Sequence, residues 1–436
     1  MSLDREEVIA KVDSLYRFRD LYFEEHPLSQ AEQKPIDVEK KMNEALLVVE
    51  QNQTSLKNKA EYLLLKAKCL NVKANFDEEA EEAMSKAVKL DPKQVEAWNI
   101  LGECFWKKGD IDSAKNCFSG ALQHSKDKVT LRNLSMVLRQ FGSSREEKLQ
   151  YITESVSKAK EAVNLDITDG TSWFVLGNAY LSQFFGGTQN EQTLQQCLKA
   201  YTQAEKDAVA KHNPDLYYNR SMCYLYQSDF KSALINFKTA SQLDPSWDLP
   251  IAKANMVRDY LRSTSSMLSN MCGLLGKNKL QKIMSSITDD DLGPYSGGSY
   301  TSPSGKTLAL KPKCLNQLSP GSNAGIVING KVIGGLSTDA AIPYTFFLVD
   351  SKENCIAVCL YNVSNAYGVK TADSIAIPEP YVMSVGIESG EGLVDSNEMK
   401  YNFIRVATPM VMVVNGKKLG IDKQAPTVLK VTALSE

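Results

Sequence analysis

The 436-residue chain is too long for one ordinary hydrophobic core, so its length predicts two or three domains. Its 50 basic and 52 acidic side chains leave a net charge of −2, which argues against a generally basic nucleic-acid coat or an acidic disordered tail. Nine cysteines without a Cys-x-x-Cys pair, and only three histidines, argue against a disulfide framework and a zinc module.

The chain begins with MSLDREEVIAKVDSLYRF, which is amphipathic and acidic where a secretion signal would be basic and then continuously apolar. No stretch of the sequence approaches the roughly 18 consecutive apolar residues of a membrane-spanning helix. We therefore expect a soluble, intracellular protein with no membrane partner. Residues 4–51 have helical periodicity, broken near EEHPLSQAEQKP, and residues 1–58 are expected to form an N-terminal helical cap or a degenerate helix pair.

The segment 97–122 places large and small apolar residues at helical spacings on both sides of the turn KKGD. These residues are Trp98, Leu101, Gly102 and Phe105 before the turn, and Ala114, Phe118 and Ala121 after it. Two helix backbones approach closely only where side chains are small, and neighbouring aromatic rings then fill the grooves beside them. The segment therefore predicts an antiparallel helix pair with Gly102 and the two alanines at its contact.

The same pattern returns with a period of 34 residues, at 61–94, 170–180 and 214–247. It resembles the tetratricopeptide repeat over roughly residues 60–247, where five units fit. The third unit, about residues 129–169, lacks the tryptophan and the glycine. Because stacked units bury a core that no single unit can close, the resemblance implies an α-solenoid with a concave groove. With a capping helix after the last unit, this domain is expected to span residues 59–283.

The composition changes near residue 285, where DDDLGPYSGGSYTSPSGK is rich in Gly, Ser and Pro and predicts a linker. Beyond it, runs rich in Val, Ile, Tyr and Phe are bounded by turn residues and predict about five strands. These runs are AGIVINGKVIGGLS, YTFFLVD, CIAVCLYNV, DSIAIPEP and NFIRVATPMVMVVNGK. We expect residues 284–436 to form a closed, five-stranded OB-type β-barrel. The predicted fold is thus multidomain, with an all-α solenoid followed by an all-β barrel.

The sequence PSGKTLAL contains the Gly-Lys-Thr of a phosphate-binding loop. That motif requires a second glycine five residues before Gly305, where this chain has Tyr300, and it requires a helix to follow. The residues that follow predict a strand. The phosphate-binding interpretation is therefore disfavoured.

The remaining candidates for chemistry are isolated. Cys355 and Cys359 lie four residues apart in a predicted strand without a second pair of ligands, which favours buried thiols. His26, His124 and His212 lie in different contexts with no nearby paired acids. The sequence predicts a non-enzyme with no cofactor and no metal.

Binding by the concave groove is the function that the repeats favour. In tetratricopeptide arrays the groove is lined by the first helix of each unit, at its second, fifth, ninth and twelfth positions. The residues predicted there are Asn99, Glu103, Trp106, Phe174, Asn178, Asp215 and Tyr218, with Arg139 within one residue of such a position. An arginine for carboxylates and acids for basic groups suit an extended peptide that carries both charges.

Nucleic-acid binding by the barrel is an open alternative, because OB folds often stack single-stranded bases in a positively charged groove. From residue 300 onward, however, 12 basic residues face 11 acidic ones, so the overall field gives little attraction. A protein-binding barrel is favoured. A small basic cluster, Lys277, Lys279 and Lys282, precedes the linker, and it is either a solvated helix end or a contact for a phosphate-rich surface.

Taken in order, the two halves resemble the Strap family, also called the tetratricopeptide repeat domain five family. The segments that carry the resemblance are AVKLDP, VEAWNILGECFWKKGD, CFSGAL, NLSMVLRQ, NPDLYYNR, DSIAIPEP and VVNGK. The resemblance runs over nearly the whole chain and is weakest at the N-terminal cap. It implies a non-enzymatic scaffold that works in both the cytoplasm and the nucleus.

At the ribosome, the resemblance implies recognition of the N-terminal peptide of nascent tubulin and, through an mRNA-decay adaptor, decay of the translated tubulin mRNA. In the nucleus, it implies a stress-responsive cofactor that joins an acetyltransferase coactivator to partner proteins, with a barrel linked to DNA or chromatin. These two functions are kept as alternatives.

Family residues for the peptide correspond to Arg139 in NLSMVLRQ and Asp215 in NPDLYYNR. A tubulin start of Met-Arg-Glu would place its glutamate by Arg139 and its arginine by Asp215. Where the family has a glutamate after the tryptophan of the last unit, LDPSWDLP has Leu249, with Asp248 beside it as the acidic candidate. Family lysines that face the ribosome correspond loosely to Lys277 and Lys279.

Overall fold

The computed structural model describes residues 3–187, 189–270, 275–301, 305, 307–336, 343–364, 367–388, 392–394 and 398–425. The helices are α1 (Arg5–Asp20), α2 (Tyr22–Glu25), α3 (Lys34–Gln51), α4 (Lys59–Asn71), α5 (Glu78–Leu90), α6 (Val95–Lys108), α7 (Ile111–His124), α8 (Lys128–Leu138), α9 (Arg145–Leu165), α10 (Gly170–Gly186), α11 (Glu191–Ala204), α12 (Pro214–Tyr226), α13 (Phe230–Leu243), α14 (Asp248–Ser269) and α15 (Lys277–Ser285). The strands are β1 (Ser299–Thr301), β2 (Thr307–Ala309), β3 (Lys311–Pro312), β4 (Gly321–Ser322), β5 (Ile326–Leu336), β6 (Tyr344–Val349), β7 (Cys355–Leu360), β8 (Ser374–Pro378), β9 (Tyr381–Ile387), β10 (Met399–Val406), β11 (Val413–Val414) and β12 (Lys417–Lys418).

The described residues fall into two compact units. The first contains residues up to 223 together with 239–248, and the second contains 224–238 together with the described part of 249–428. The last repeat helix, α13, is therefore divided between the units. The boundaries predicted at 58/59 and 283/284 stay predictions.

In the first unit, helices pack as successive pairs, α4 with α5, α6 with α7, α8 with α9 and α10 with α11. Before them, α1 packs on α3 as a further pair. Local polar groups set where these helices begin. Asn58 accepts the backbone N–H of Glu61, and Asp77 accepts that of Ala80, so the first helical turns have partners for N–H groups that the helix itself leaves unpaired.

Small residues at the contact of each pair allow close approach. A Cβ placed on Gly102 of α6 would lie 2.5 Å from Cε1 of Phe118 on α7. At the same position of a later pair, a Cβ on Gly177 would lie 2.5 Å from Cε1 of Tyr201. The Phe118 side chain is only 1% exposed and packs with Leu138 and its neighbours. The antiparallel pair predicted for residues 97–122 is confirmed, with Gly102 against an aromatic ring.

The Gly102→Ala substitution should lower the free energy of unfolding of the helical unit by about 1–3 kcal/mol, because the new methyl group overlaps the Phe118 ring. Gly120 of α7 is the matched control, since a Cβ there would lie 3.6 Å from the nearest atom, in the Trp98 ring. Gly120→Ala should be neutral or stabilise by up to about 1 kcal/mol, from helix propensity alone. Urea denaturation followed by circular dichroism at 222 nm, a helix signal, compares the two variants. Equal midpoints would contradict the packing argument.

The second unit is built on a sheet with strand order β12-β11-β8-β5-β6-β7-β10-β9-β4, and β3 also pairs with β5. Most neighbours are antiparallel, whereas β10 pairs with β7 in parallel, with Phe403 opposite Ala357. Apolar residues of the central strands form one core, which includes Ile328, Phe346 and Ile404. The core lies on the central strands because these carry near-continuous apolar runs.

The prediction of five strands is wrong, since six strands in the described part of the chain have five or more residues. The missing one is β9. It follows β8 after only Glu379 and Pro380. Glu379 has a φ of 45°, so the chain bends there and continues into β9, which pairs with β10 and β4 and not with β8. The two prolines of IPEP obscure the start of this strand in the sequence, because proline lacks the N–H that a sheet needs. A second expectation also needs correction, because the run NFIRVATPMVMVVNGK contains two strands, β10 and β11, separated at Pro409.

Helical residues 224–238 and 249–269 belong to the second unit through specific contacts. The Tyr260 hydroxyl on α14 lies 2.9 Å from Thr345 Oγ1 and 3.2 Å from Cys359 Sγ. Ser228 Oγ lies 2.6 Å from the hydroxyl of Tyr361. The ring of Phe230 is 6.1 Å from that of Phe403. Polar and aromatic groups of these helices thus complete the surroundings of β6, β7 and β10.

Candidate functional site

The residues predicted for the groove lie on the first helix of each pair or at its end. The positions are Asn99, Glu103 and Trp106 on α6, Arg139 directly after α8, Phe174 and Asn178 on α10, Asp215 and Tyr218 on α12, and Asp248 at the start of α14. Five alternate helices of the chain therefore supply them. Whether they bind a ligand stays a prediction.

Glu103 links three neighbouring helices. Its carboxylate accepts hydrogen bonds from Asn71 Nδ2 on α4, at 3.0 Å, and from Asn133 Nδ2 on α8, at 3.2 Å. Asn99 is 5% exposed, and its Oδ1 has no hydrogen-bond partner among the described residues. Glu103 therefore has an evident structural use, since it pairs amide donors of α4 and α8.

Asn178 is the centre of a second polar group. Its Oδ1 accepts hydrogen bonds from the Tyr201 hydroxyl at 2.8 Å and from Asn219 Nδ2 at 3.1 Å, which joins α10, α11 and α12. Burial raises the pKa of the Tyr201 hydroxyl, Cys197 and Cys223 add to the rise, and the positive charge of Arg139 acts in the opposite direction. The structure thus places Arg139 within electrostatic reach of this group.

Arg139 and Asp215 occupy opposite kinds of helix end. Arg139 follows the last residue of α8, and its Nη1 lies 3.5 Å from the carbonyl oxygen of Ser135. Asp215 lies in the first turn of α12, where its backbone N–H donates to Asn213 Oδ1 at 2.9 Å. Both side chains are half-buried. A cation at a helix C-terminus and an anion at an N-terminus are each favoured by the helix dipole.

The acidic side of the site continues beyond Asp215. Tyr218, one turn further along α12, is 5% exposed, its ring lies 4.9 Å from that of Trp247, and burial raises its pKa to about 12. Asp248 directly follows Trp247 and is exposed. Asp215 and Tyr218 thus lie on α12, and Asp248 lies at the start of α14, next to the tryptophan that packs on Tyr218.

The sequence did not predict four residues that donate hydrogen bonds to the predicted groove residues Glu103 and Asn178. Asn71, Asn133, Tyr201 and Asn219 all contact predicted groove residues. One signal was available for Asn133, because it follows Asn99 by one repeat period of 34 residues. The other contacts join helices of different units, and their partners cannot be deduced from the repeat pattern.

Lys277 and Lys279 are exposed on α15, which buries Leu280 and Ile283 on its other side. Gly276 begins this helix with a φ of 69°. Lys282 is also exposed, so all three lysines are solvated.

The structure favours no chemical role for the Gly-Lys-Thr segment or for the two cysteines Cys355 and Cys359. Lys306 of the Gly-Lys-Thr segment lies outside the described residues, and Thr307 begins strand β2. Burial raises the pKa of Cys355 to about 12 and that of Cys359 to about 11, which keeps both thiols protonated. Within the described ranges, no three His, Cys, Asp or Glu side chains are grouped to hold a metal ion. Nor does the described part of the chain contain a helix with the length and apolar character needed to cross a bilayer.

Comparison with known proteins decides the family. A model described as the Tetratricopeptide repeat protein 5 OB fold domain matches residues 309–428, and a tetratricopeptide repeat model matches 95–126 and 214–246. The chain is 44% identical over 416 residues to Tetratricopeptide repeat protein 5 of Homo sapiens and to that of Bos taurus, with 95% of this chain and 93% of each relative covered. The chain belongs to the tetratricopeptide repeat protein 5 family. The predicted order of a repeat solenoid and an OB-fold domain is thereby confirmed.

Solved structures similar to the helical part include two further repeat proteins. TTC0263 of Thermus thermophilus is 15% identical with a TM-score of 0.38, and the similarity covers 45% of this chain and 98% of that one. YrrB, described as a protein with an unusual peptide-binding site, is 20% identical with a TM-score of 0.32, covering 48% and 95%. Membership of the tetratricopeptide repeat protein 5 family, with its repeats, makes the chain a repeat-based adaptor that binds protein partners.

Proposed function

We propose that this adaptor binds the N-terminal peptide of nascent tubulin at the translating ribosome and, through an mRNA-decay adaptor, triggers decay of the tubulin mRNA. The observation that supports the proposal most is the position of Arg139 and Asp215, which offer a cation and an anion from the ends of two first helices. A peptide beginning Met-Arg-Glu carries the two complementary charges next to each other. Each contact would be a charge-assisted hydrogen bond of about 1.5–3 kcal/mol.

Asp248 is proposed as a second acid for the arginine of the peptide, because it is exposed and follows Trp247, which packs on Tyr218. The exposed lysines Lys277 and Lys279 are proposed to contact ribosomal RNA, because its phosphates attract their positive charges. No step requires a cofactor or catalysis by the chain. The proposed site of action is the cytoplasm.

The experiment that tests this function measures retention of the purified chain on ribosomes. Ribosomes that display a nascent tubulin chain should retain the protein, whereas ribosomes that display an unrelated chain should not. A tubulin chain whose second and third residues are both alanine is the matched control, since it differs only in the two charges. Equal retention on all three kinds of ribosome would contradict the proposal.

A second candidate function is that of a nuclear, stress-responsive cofactor joining an acetyltransferase coactivator to its partners, with the OB-fold domain on DNA or chromatin. The supporting observation is the exposed pair Lys417 and Lys418 on β12, where Lys418 Nζ lies 4.6 Å from the centre of the Tyr300 ring. An aromatic ring beside lysines suits stacked bases and phosphates. Binding of the whole chain to single-stranded or double-stranded DNA should then weaken steeply with salt. Absence of binding at low salt would contradict this candidate.

A further inference from the structure

The N-terminal segment 16–34 contacts repeat elements that are far away in the sequence. It comprises the end of α1, the short helix α2 and the 3-10 turn Leu28–Gln33 that leads into α3. We propose that this segment, which we call the latch, is a gate that must open before a peptide enters the groove beside Asp215. The inference rests on the proposed function, because it concerns access to the same groove.

The first end of the latch contacts α4 and lies near Glu103 of α6. The Tyr16 hydroxyl donates to the carbonyl oxygen of Lys68 at 3.0 Å, and the Arg19 guanidinium lies 4.5 Å from the centre of the Tyr16 ring. Burial lowers the pKa of Arg19 while Asp20, Tyr16 and Glu103 raise it, with a net rise. Glu103 of the groove therefore acts electrostatically on the latch.

The middle of the latch contacts the turn that precedes α12. Glu24 Oε1 accepts from Lys211 Nζ at 2.6 Å, and the Phe23 ring lies 5.5 Å from the ring of His212. This turn is joined directly to the candidate site. The Tyr217 hydroxyl donates to the carbonyl oxygen of Lys211 at 2.8 Å, and Asn213 accepts the N–H of Asp215.

The far end of the latch lies within electrostatic reach of the connection before α14. Lys34 Nζ lies 4.9 Å from the centre of the Phe23 ring. Burial and Arg19 lower the pKa of Lys34, and Asp20 and Asp244 oppose them. Asp244 begins the connection from α13 and precedes Asp248 by four residues.

The contact between Glu24 and Lys211, which precedes Asp215 on the chain, places the middle of the latch beside the acidic side of the site. The charges of Asp244, four residues before Asp248, and of Glu103 act on Lys34 and Arg19 at the two ends of the latch. The contacts are weak enough to open, because the Glu24 and Lys211 side chains remain 41% and 37% exposed. The exposed ion pair and the tilted ring contact hold the middle of the latch closed at a population ratio of roughly tenfold over the open state. The apparent affinity of a ligand that needs the open state falls by the same factor.

The test uses the whole chain with cysteines introduced at both ends of the ion pair, Glu24→Cys and Lys211→Cys. A bis-maleimide spacer with an internal disulfide bridges the two thiols and is later cut by dithiothreitol. The probe is a synthetic peptide beginning Met-Arg-Glu with a free N-terminus and a dye at its C-terminus. Its association rate is measured by stopped-flow anisotropy, and each single-cysteine variant treated with the reagent is the control for labelling of other thiols.

Bridging should slow association at least roughly tenfold, and cutting the bridge should restore the original rate. The weakened variant Phe23→Ala/Glu24→Gln should bind roughly 3–10-fold faster than the wild-type chain, whereas Glu25→Gln, which removes the neighbouring exposed charge, should not change the rate. Because the spacer bridges the two thiols in the closed state, saturating peptide, which binds the open state, should slow bridging by lowering the closed population.

Unchanged association in the bridged chain would overturn the gate. So would a lower affinity in the weakened variant, since the latch would then brace the site instead of covering it. Binding by the weakened variant alone, with none by the wild-type chain, would support the gate. Absence of binding by both the weakened variant and the wild-type chain would overturn the proposed function and the gate that rests on it. If the proposed function and the gate are both correct, Asp215 variants should lose peptide binding while their cysteine pair is bridged at the wild-type rate.

Discussion

Asp215→Asn should weaken binding of a peptide beginning Met-Arg-Glu by roughly 10–150-fold, and Arg139→Gln should do the same. Each substitution removes one charge-assisted hydrogen bond, which contributes about 1.5–3 kcal/mol. Asn matches Asp in size, and Gln keeps a hydrogen-bonding amide on a shorter side chain than that of Arg. The Asp215 backbone N–H keeps its acceptor, Asn213 Oδ1, so the first turn of α12 should remain intact. Fluorescence anisotropy titration measures the affinity, and circular dichroism checks the fold.

Peptides with altered charges make this prediction specific. Asp215→Lys should reject the Met-Arg-Glu peptide and regain part of its affinity for a peptide beginning Met-Glu-Glu, because the second residue of that peptide now meets a cation. Asp248→Asn is the matched control for a neighbouring acid. Because Asp248 is exposed, its loss should cost less than that of Asp215. Full affinity in both Asp215→Asn and Arg139→Gln would remove the proposed site.

Phe118→Ala should lower the free energy of unfolding of the helical unit by about 3–5 kcal/mol, the largest stability effect that we predict for a single side chain. The ring is 1% exposed, and it fills the space between Gly102 on α6 and Leu138 at the end of α8. Because Gly102 offers no side chain to move into the vacated space, the cavity should persist. The unfolding midpoint in urea, followed by circular dichroism, measures the change.

A double-mutant cycle checks the contact itself. In a Gly102→Ala background, Phe118→Leu should cost less than it does alone, since the smaller side chain relieves the overlap with the added methyl group. The destabilisation should also reach the peptide site indirectly, because α8 carries Arg139 at its end. Additive effects of the two substitutions would show that the ring and the glycine do not interact.

The repeat pattern predicts most of the helical unit because it depends on local spacing. Trp98, Gly102 and Phe118 recur in a period that only a stacked helix pair explains, and the turn at Gly109, with its φ of 84°, ends α6 where the sequence suggests. The same period locates the groove, since it assigns Glu103 and Asn178 to first helices. Periodicity thus predicts which helix face a residue is on.

Periodicity does not predict which polar partners meet across that face. Glu103 has the charge expected of a ligand-binding acid. Its carboxylate nevertheless accepts hydrogen bonds from Asn71 and Asn133, which belong to two other repeats. The contact of Glu24 with Lys211 joins residues whose separation follows no repeat, and it depends on the path of the segment between α1 and α3. In the sheet, the sequence does not predict β9, because the bend at Glu379 that separates it from β8 spans only two residues and lies among prolines.

The contacts of Tyr260, Ser228 and Phe230 with the sheet determine which gene fragment can encode a stable OB-fold domain. A gene fragment that starts at the predicted boundary, residue 284, would encode strands whose Thr345, Tyr361 and Phe403 have lost these partners. Such a fragment would expose apolar rings to water and should aggregate. Any recombination that moved the OB fold to a new host chain would therefore have to carry the codons from about residue 224 with it.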